Sequence, residues 1–331
     1  MIISRTPVRL SFFGGGTDYR EYFEREQGAV LGATIDKYIY VSVNRLSDFF
    51  KYKIRVGYSK AELVERVDEI IHPSVRECLK FKGIEGNLDI HIFADLPART
   101  GLGSSSAFTV GLLNALYALE GKIVSQQKLA EDAIYIEQQL IGENVGCQDQ
   151  MHAAYGGLNV IEFDKSQISI RPVVISQRKY EYLNKSLLVF FTGVTRYADE
   201  ILKEQVKETA MGRKDVYLGR MFQMIHRAEK IISDNQPENM LKKFGELLLE
   251  AWDLKKNLSS KVTNNLIEEA FKKAMAAGAY GGKLAGAGGG GFLLFVAPVE
   301  RHPDIRKALW NMLEVDFCFE KEGSKIIYLL Q

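Results

Sequence analysis

Polar and apolar residues alternate in three early segments, 8–13, 38–44 and 88–93, where β-branched and aromatic side chains also gather. That two-residue period predicts strands with one buried face. From 106 to 120 the period changes. Phe108, Leu112, Leu116 and Leu119 recur at helical spacing, and Gly121 stands where a helix would stop. Ser125 is placed to cap a second helix, whose Leu129, Ala133, Ile136 and Leu140 keep the same spacing. An apolar strand at 187–191 opens the second half. Amphipathic helical stretches then begin near Ala198, Gly219, Met240 and Asn264, followed by a strand at 292–296 and a closing helix and strand. Helices and strands alternate irregularly, without the rhythm of a doubly wound sheet, so the pattern predicts an α+β fold. The polar stretch 175–186 lies between apolar strands and divides the chain into two expected domains, 1–183 and 184–331.

At 331 residues the chain can bury two separate cores. A net charge of +1 gives no bulk attraction to nucleic acid or to an anionic membrane, so any anion site must be local. The three cysteines, Cys78, Cys147 and Cys318, are far apart, which argues against a disulfide framework or a structural zinc site and fits a reducing compartment. The N-terminus has no long apolar run of the secretory kind, and the apolar segment 291–297 is too short to span a bilayer. A cytoplasmic protein is expected, monomeric or homodimeric, with neither nucleic acid nor membrane as partner. The five histidines show no ligand spacing; His152, near the acidic loop described next, reads as structural.

Glycine serves where backbone must turn sharply or approach another group closely, and three clusters stand out among the 29 glycines. The central one, Thr100-Gly101-Leu102-Gly103-Ser104-Ser105-Ser106, lies between a predicted strand and a predicted helix. There, helix N–H groups and the helix dipole favour an anion. One serine would suffice as a helix cap; three after Gly-Leu-Gly point to phosphate. No lysine stands in the loop, so it is not a P-loop. In the third cluster, Gly286, Gly288 and Gly291 spell GxGxxG, but a dinucleotide fingerprint follows a strand and opens a helix. Here a helix is expected before the loop and a strand after it, and a crowded backbone crossing stays open as its explanation. The first cluster, Gly14-Gly15-Gly16, ends a strand that carries Arg9. A cation on an apolar strand needs a partner: a structural ion pair, or a carboxylate or phosphate held for function. Asp149, in the loop 142–150, is the candidate partner, and Glu137 lies on the helix just before it.

In order along the chain, segments 6–19, 97–107 and 283–292 resemble the three signature motifs of the GHMP kinases, which include galactokinase, homoserine kinase and mevalonate kinase. The resemblance implies two α+β domains, the second ferredoxin-like, with the active site between them. It implies ATP at Pro97, Thr100, Gly101, Leu102, Gly103, Ser104, Ser105 and Ser106, and magnesium (Mg2+) at Glu137 and Ser105. It implies Asp149 as the catalytic aspartate with Arg9 beside it, and a substrate at Gly14, Gly15, Gly16, Thr17, Asp18, Gly288 and Gly289. One departure is informative. Where galactokinases carry Gly-Glu-His before Thr-Asp-Tyr, this chain has Gly14-Gly15-Gly16, which removes contacts to a neutral hexose and exposes N–H groups to an anion. In this form the motif resembles that of the D-glycero-D-manno-heptose 7-phosphate kinases, which phosphorylate the anomeric hydroxyl of a sugar phosphate. The segment 191–198 is similar to part of the same kinases and makes Arg196 a candidate for gripping the substrate phosphate; a surface ion pair is its equal alternative. The rival activities are a kinase of neutral fucose or galactose and a non-catalytic sensor of sugar and ATP.

Overall fold

A long antiparallel hairpin, β1 (Ile2–Phe13) and β2 (Gly28–Arg45), organises the first sheet. The computed structural model describes residues 1–98, 100–194, 199–234, 236–259 and 261–330. β2 is long enough to serve two further neighbours. Its later half pairs with β5 (Leu88–Ala94), which is flanked by β3 (Ile54–Gly57) and β4 (Ala61–Val64). Its earlier half pairs with β6 (Leu158–Phe163), which carries β7 (Ile168–Pro172). The helix Ser104–Leu119 packs across β1 and β2 and is buried on nearly every side, although its apolar spacing predicted a single buried face. Gly111 allows that approach: a Cβ there would lie 2.7 Å from Thr6 Oγ1, and Ser4 Oγ donates to the Gly111 carbonyl at 2.7 Å. The predicted cap is in place, since Ser125 accepts from the Lys128 N–H.

β8 (Leu187–Phe191), β9 (Gly281–Leu284), β10 (Phe292–Val296) and β11 (Leu313–Val315) form an antiparallel second sheet in the order β11-β8-β10-β9. Helices intervene between β8 and β9 and between β10 and β11, giving the β-α-β-β-α-β connectivity of a ferredoxin-like unit. The fold is α+β. A separate core of Phe190, Trp252, Phe271 and Phe295 lies on one side of this sheet.

Three expectations need correction. The polar stretch 175–186 is not an open seam: most of it is the helix Gln177–Lys185, capped by Ser176, whose one buried residue is Leu183. A helix that buries a single side chain reads as polar. The second correction concerns the chain's end. β12 (Lys325–Leu329) lies in the first sheet, antiparallel to β1, and Glu320 N donates to Thr34 O. The last residues of the expected 184–331 unit therefore return to the first sheet, where they cover the otherwise open edge of β1. The third glycine cluster, finally, is preceded by β9 and not directly by a helix, so it joins two paired strands.

Candidate active site

The loop between β5 and the helix Ser104–Leu119 is anchored from below by Leu102, which is buried. Gly101 and Gly103 take φ values of 85° and 76°, in the region that favours glycine. Gly103 is the residue at the helix start, and no side chain caps that end. A serine cap is thereby ruled out as the purpose of the three serines, and the N–H groups of the first turn remain available to an anion. Thr100 is buried and donates its hydroxyl to Pro97 O at 2.9 Å, which braces the loop from within. Ser104 is buried as well, and Ser105 is exposed.

Arg9 converges on this loop from β1. Its backbone N–H donates to Leu102 O at 2.9 Å and its Nη1 to Gly101 O at 2.7 Å. Nε and Nη2 both reach Asp149 Oδ1, at 2.8 and 2.5 Å. Asp149 sits in the first turn of the helix Gln148–Tyr155, where the dipole favours a carboxylate. It also lies against the phosphate loop: a Cβ on Gly103 would be 3.1 Å from Asp149 Oδ2. Arg9 is nearly buried while Asp149 keeps a quarter of its side chain open to solvent, so the pair presents its carboxylate and not its guanidinium.

Glu137 is fully buried on the last, π-helical turn before the loop. Ser106 Oγ donates to its Oε2 at 2.8 Å and Gln150 Nε2 does so at 2.5 Å, while Oε1 is buried without a hydrogen bond. Burial raises its pKa to about 7, against the pull of the Thr109, Ser106 and Gln150 side chains. Ser105 was expected with Glu137 at magnesium; the serine hydrogen-bonded to Glu137 is its neighbour. The serine beside Glu137 is Ser106, because adjacent helical residues point about 100° apart. A half-satisfied buried carboxylate next to a hydroxyl is a donor set suited to magnesium.

The first glycine motif separates into two roles. Thr17 is fully buried; its hydroxyl donates to Gly14 O and to Ala29 O and accepts from Ala29 N, which staples β1 to β2. Gly14 is equally constrained, since a Cβ would fall 1.9 Å from Ala29 O. Neither offers a side chain to a substrate, and the expectation that Thr17 touches one gives way to this role. Gly16 packs against Gln205, Leu218 and Leu258, which leaves Gly15 as the partly open member of the three. Asp18 is buried, with Oδ1 accepting from Gly16 N at 2.9 Å and Oδ2 from Gln148 Nε2 at 3.0 Å. Burial and the neighbouring Asp149 raise its pKa. Asp18 thus ties the first motif to the residue preceding Asp149.

The third cluster meets the phosphate loop backbone to backbone. A Cβ on Gly286 would lie 2.3 Å from Gly101 Cα, and one on Gly291 2.3 Å from Thr100 O. The crowded crossing is therefore real, and it is built against the phosphate loop. Gly288 and Gly289 face the segment around Val262, whose carbonyl accepts from Gly289 N at 2.8 Å. Arg196 lies outside the described residues. His152 is buried and neutral, its pKa lowered by burial to about 3. The sequence reading missed Gln148 and Gln150, which orient the two acids on either side of Asp149. It also missed two buried lysines, Lys255 and Lys283. Lys283 carried the same signal as Arg9, a cation among apolar strand residues.

Residues 63–157 match the model of the GHMP kinases N terminal domain, and residues 237–313 that of the GHMP kinases C terminal region. The chain belongs to the GHMP kinase family. Among relatives of this GHMP kinase, the D-glycero-alpha-D-manno-heptose 7-phosphate kinase of Campylobacter jejuni is 29% identical, with 98% of each chain covered. The galactokinase of Pyrococcus furiosus is 27% identical over 93% of this chain and 92% of its own. In the fold, a D-glycero-D-manno-heptose 1-phosphate kinase from Bacteroides thetaiotaomicron superposes with a TM-score of 0.73 over the whole of both chains at 24% identity. Streptococcus pneumoniae phosphomevalonate kinase does so at 0.75, with 99% of this chain and 100% of that one covered, at 16% identity. This GHMP kinase is an ATP-dependent carbohydrate kinase. Among its described residues no helix is long and apolar enough to cross a membrane.

Proposed function

We propose that this kinase transfers the γ-phosphoryl group of ATP to the anomeric hydroxyl of D-glycero-D-manno-heptose 7-phosphate, giving the 1,7-bisphosphate. The observation that carries the site is the ion pair of Arg9 with Asp149, seated against Gly103 of the uncapped phosphate loop. Phosphoryl transfer asks a protein mainly for positioning and charge stabilisation. The N–H groups at the start of the helix Ser104–Leu119 bind the nucleotide phosphates. Arg9 fixes the direction of the Asp149 carboxylate, which accepts the proton of the attacking hydroxyl as the new P–O bond forms and the bond from the γ-phosphorus to the bridging oxygen breaks, releasing ADP. Magnesium, when bound, offsets phosphate charge, and Glu137 with Ser106 are the residues that would hold it.

The acceptor assignment is supported by the full-length likeness to the Campylobacter jejuni enzyme and by Gly15, which brings no side chain to the partly open position of the first motif. Arg196 is the proposed grip on the substrate phosphate. The test is ADP release with ATP, magnesium and a panel of free and phosphorylated sugars. Turnover confined to heptose 7-phosphate, or to it and a hexose 6-phosphate, is the expected result. Turnover on free galactose or fucose alone would discard the acceptor assignment and keep the phosphate loop. Tight ATP binding without turnover on any sugar would favour a sensor.

A further inference from the structure

Buried lysines ordinarily pair with carboxylates. Lys255 and Lys283 are both at least nine-tenths buried, and neither pairs with a carboxylate among the described residues. Backbone carbonyls surround their ammonium groups instead. Lys283 Nζ donates to Phe12 O at 3.0 Å, which ties β9 to the end of β1. Lys255 is in the last turn of the helix Pro237–Lys256, yet its acceptors lie on another element: Nζ donates to Leu284 O at 3.2 Å and to Gly286 O. Gly286 is the residue that closes on Gly101 of the phosphate loop, and Gly101 O accepts from Arg9, which holds Asp149. One unbroken run of contacts therefore leads from Lys255 through Gly286, Gly101 and Arg9 to Asp149.

We propose that Lys255 is a positioning residue, which holds the third glycine loop against the phosphate loop and thereby sets the geometry in which the ATP phosphates are bound. The proposal rests on the reading of Gly101–Ser106 as the ATP site. Two features of the surroundings support it. No side chain occupies the Gly286–Gly101 contact, so any movement of one loop is passed directly to the other. The charges facing Lys255 are cationic: Arg9 on β1 and Lys283 on β9, with Asp149 answering Arg9 and Asp18 acting on Lys283. Burial and Arg9 lower the pKa of Lys255 to about 7, so the free protein holds this proton weakly, and a bound polyanion strengthens its hold.

The test is calorimetric titration of the full chain with a non-hydrolysable ATP analogue and magnesium, from pH 6 to 9, which needs no acceptor sugar. At pH 6.5, Lys255→Met should weaken binding on the order of tenfold, the scale of losing a hydrogen bond to a charged group. Lys255→Arg, which stays charged, should bind like the wild type at pH 6.5 and progressively better than it above pH 7. The ratio of the two proteins cancels the ionisation of the ligand. Unchanged affinity in a folded Lys255→Met protein would overturn the proposal. If that variant does not fold, unchanged affinity in a folded Lys255→Gln protein, whose side chain is likewise uncharged, overturns it equally. Gly103→Val is the control: should it keep full affinity, the phosphate-loop reading fails and not the role of Lys255.

Discussion

The phosphate loop and the third glycine loop look alike in composition and touch in space, but they use glycine for different physical ends. In the phosphate loop, positive φ at Gly101 and Gly103 turns the chain so that a helix begins with no side chain over its N–H groups. In the third loop, the missing side chains matter as volume: Gly286 and Gly291 let one backbone close on another at distances that no Cβ would allow. One loop presents backbone to a ligand and the other presses backbone on backbone. Substitutions in the first region should therefore act on the chemistry directly, and those in the second on the packing first, reaching the chemistry only through the Gly286–Gly101 contact.

The largest expected effect tests the first half of that contrast. Asp149→Asn should lower kcat by roughly 10²–10⁴-fold, the range for a positioned general base. The thermal midpoint should stay within a few degrees of wild type, because the Asp149 side chain is partly exposed. A similar loss of kcat accompanied by unfolding would make Asp149 a structural residue and blur the contrast. Next in size is Gly286→Val, which forces a branched side chain into the contact with Gly101 and into a φ of 71°. A loss of about 2–4 kcal/mol in urea-induced unfolding is expected. A stable Gly286→Val protein would show that the crossing tolerates volume.

Smaller effects sharpen the first region internally. Ser106→Ala should weaken magnesium dependence of turnover on the order of tenfold, whereas Ser105→Ala, at an exposed position, should change it little. The reverse ranking would restore Ser105 as the ligand. Glu137 gives the last prediction. Its pKa rises from 4.5 to about 7 on burial, so the folded state holds the extra proton between those values. Stability then falls as pH increases through that window, by up to about 3 kcal/mol. Glu137→Gln should remove this slope and make the protein more stable than wild type at pH 8, while turnover drops. Equal urea midpoints for the two proteins at pH 8 would show that the hydrogen bonds from Ser106 and Gln150 already offset the buried charge.

Much of the architecture was legible because it rests on local periodicity. The strand at 8–13, the helix after the phosphate loop and the Ser125 cap all appear near their expected positions. The pairing of Arg9 with Asp149 was also legible, since a cation on an apolar strand demands an anion and the motif resemblance set Asp149 beside it. Other features left no local signal. Helix Gln177–Lys185 reads as polar because only Leu183 is buried. Thr17 was expected at the substrate only through the motif resemblance; its use as a staple depends on Ala29, twelve residues away on another strand. Ser105 and Ser106 are indistinguishable by composition, and only the azimuth of the helix relative to Glu137 separates them.

The sequence by itself determined the α+β class, the order of the three glycine loops and the acids that could serve with them. Each of these follows from side-chain chemistry and short-range spacing, which the chain carries along its length. Tertiary structure alone decided that the last strand closes the first sheet, that Asp18 accepts a hydrogen bond from Gln148, and that the Lys255 ammonium meets the carbonyls of Leu284 and Gly286. These depend on which surfaces meet across about thirty to more than three hundred residues, and hydrogen-bonding capacity that every residue shares leaves no mark in the sequence to say where it will be satisfied.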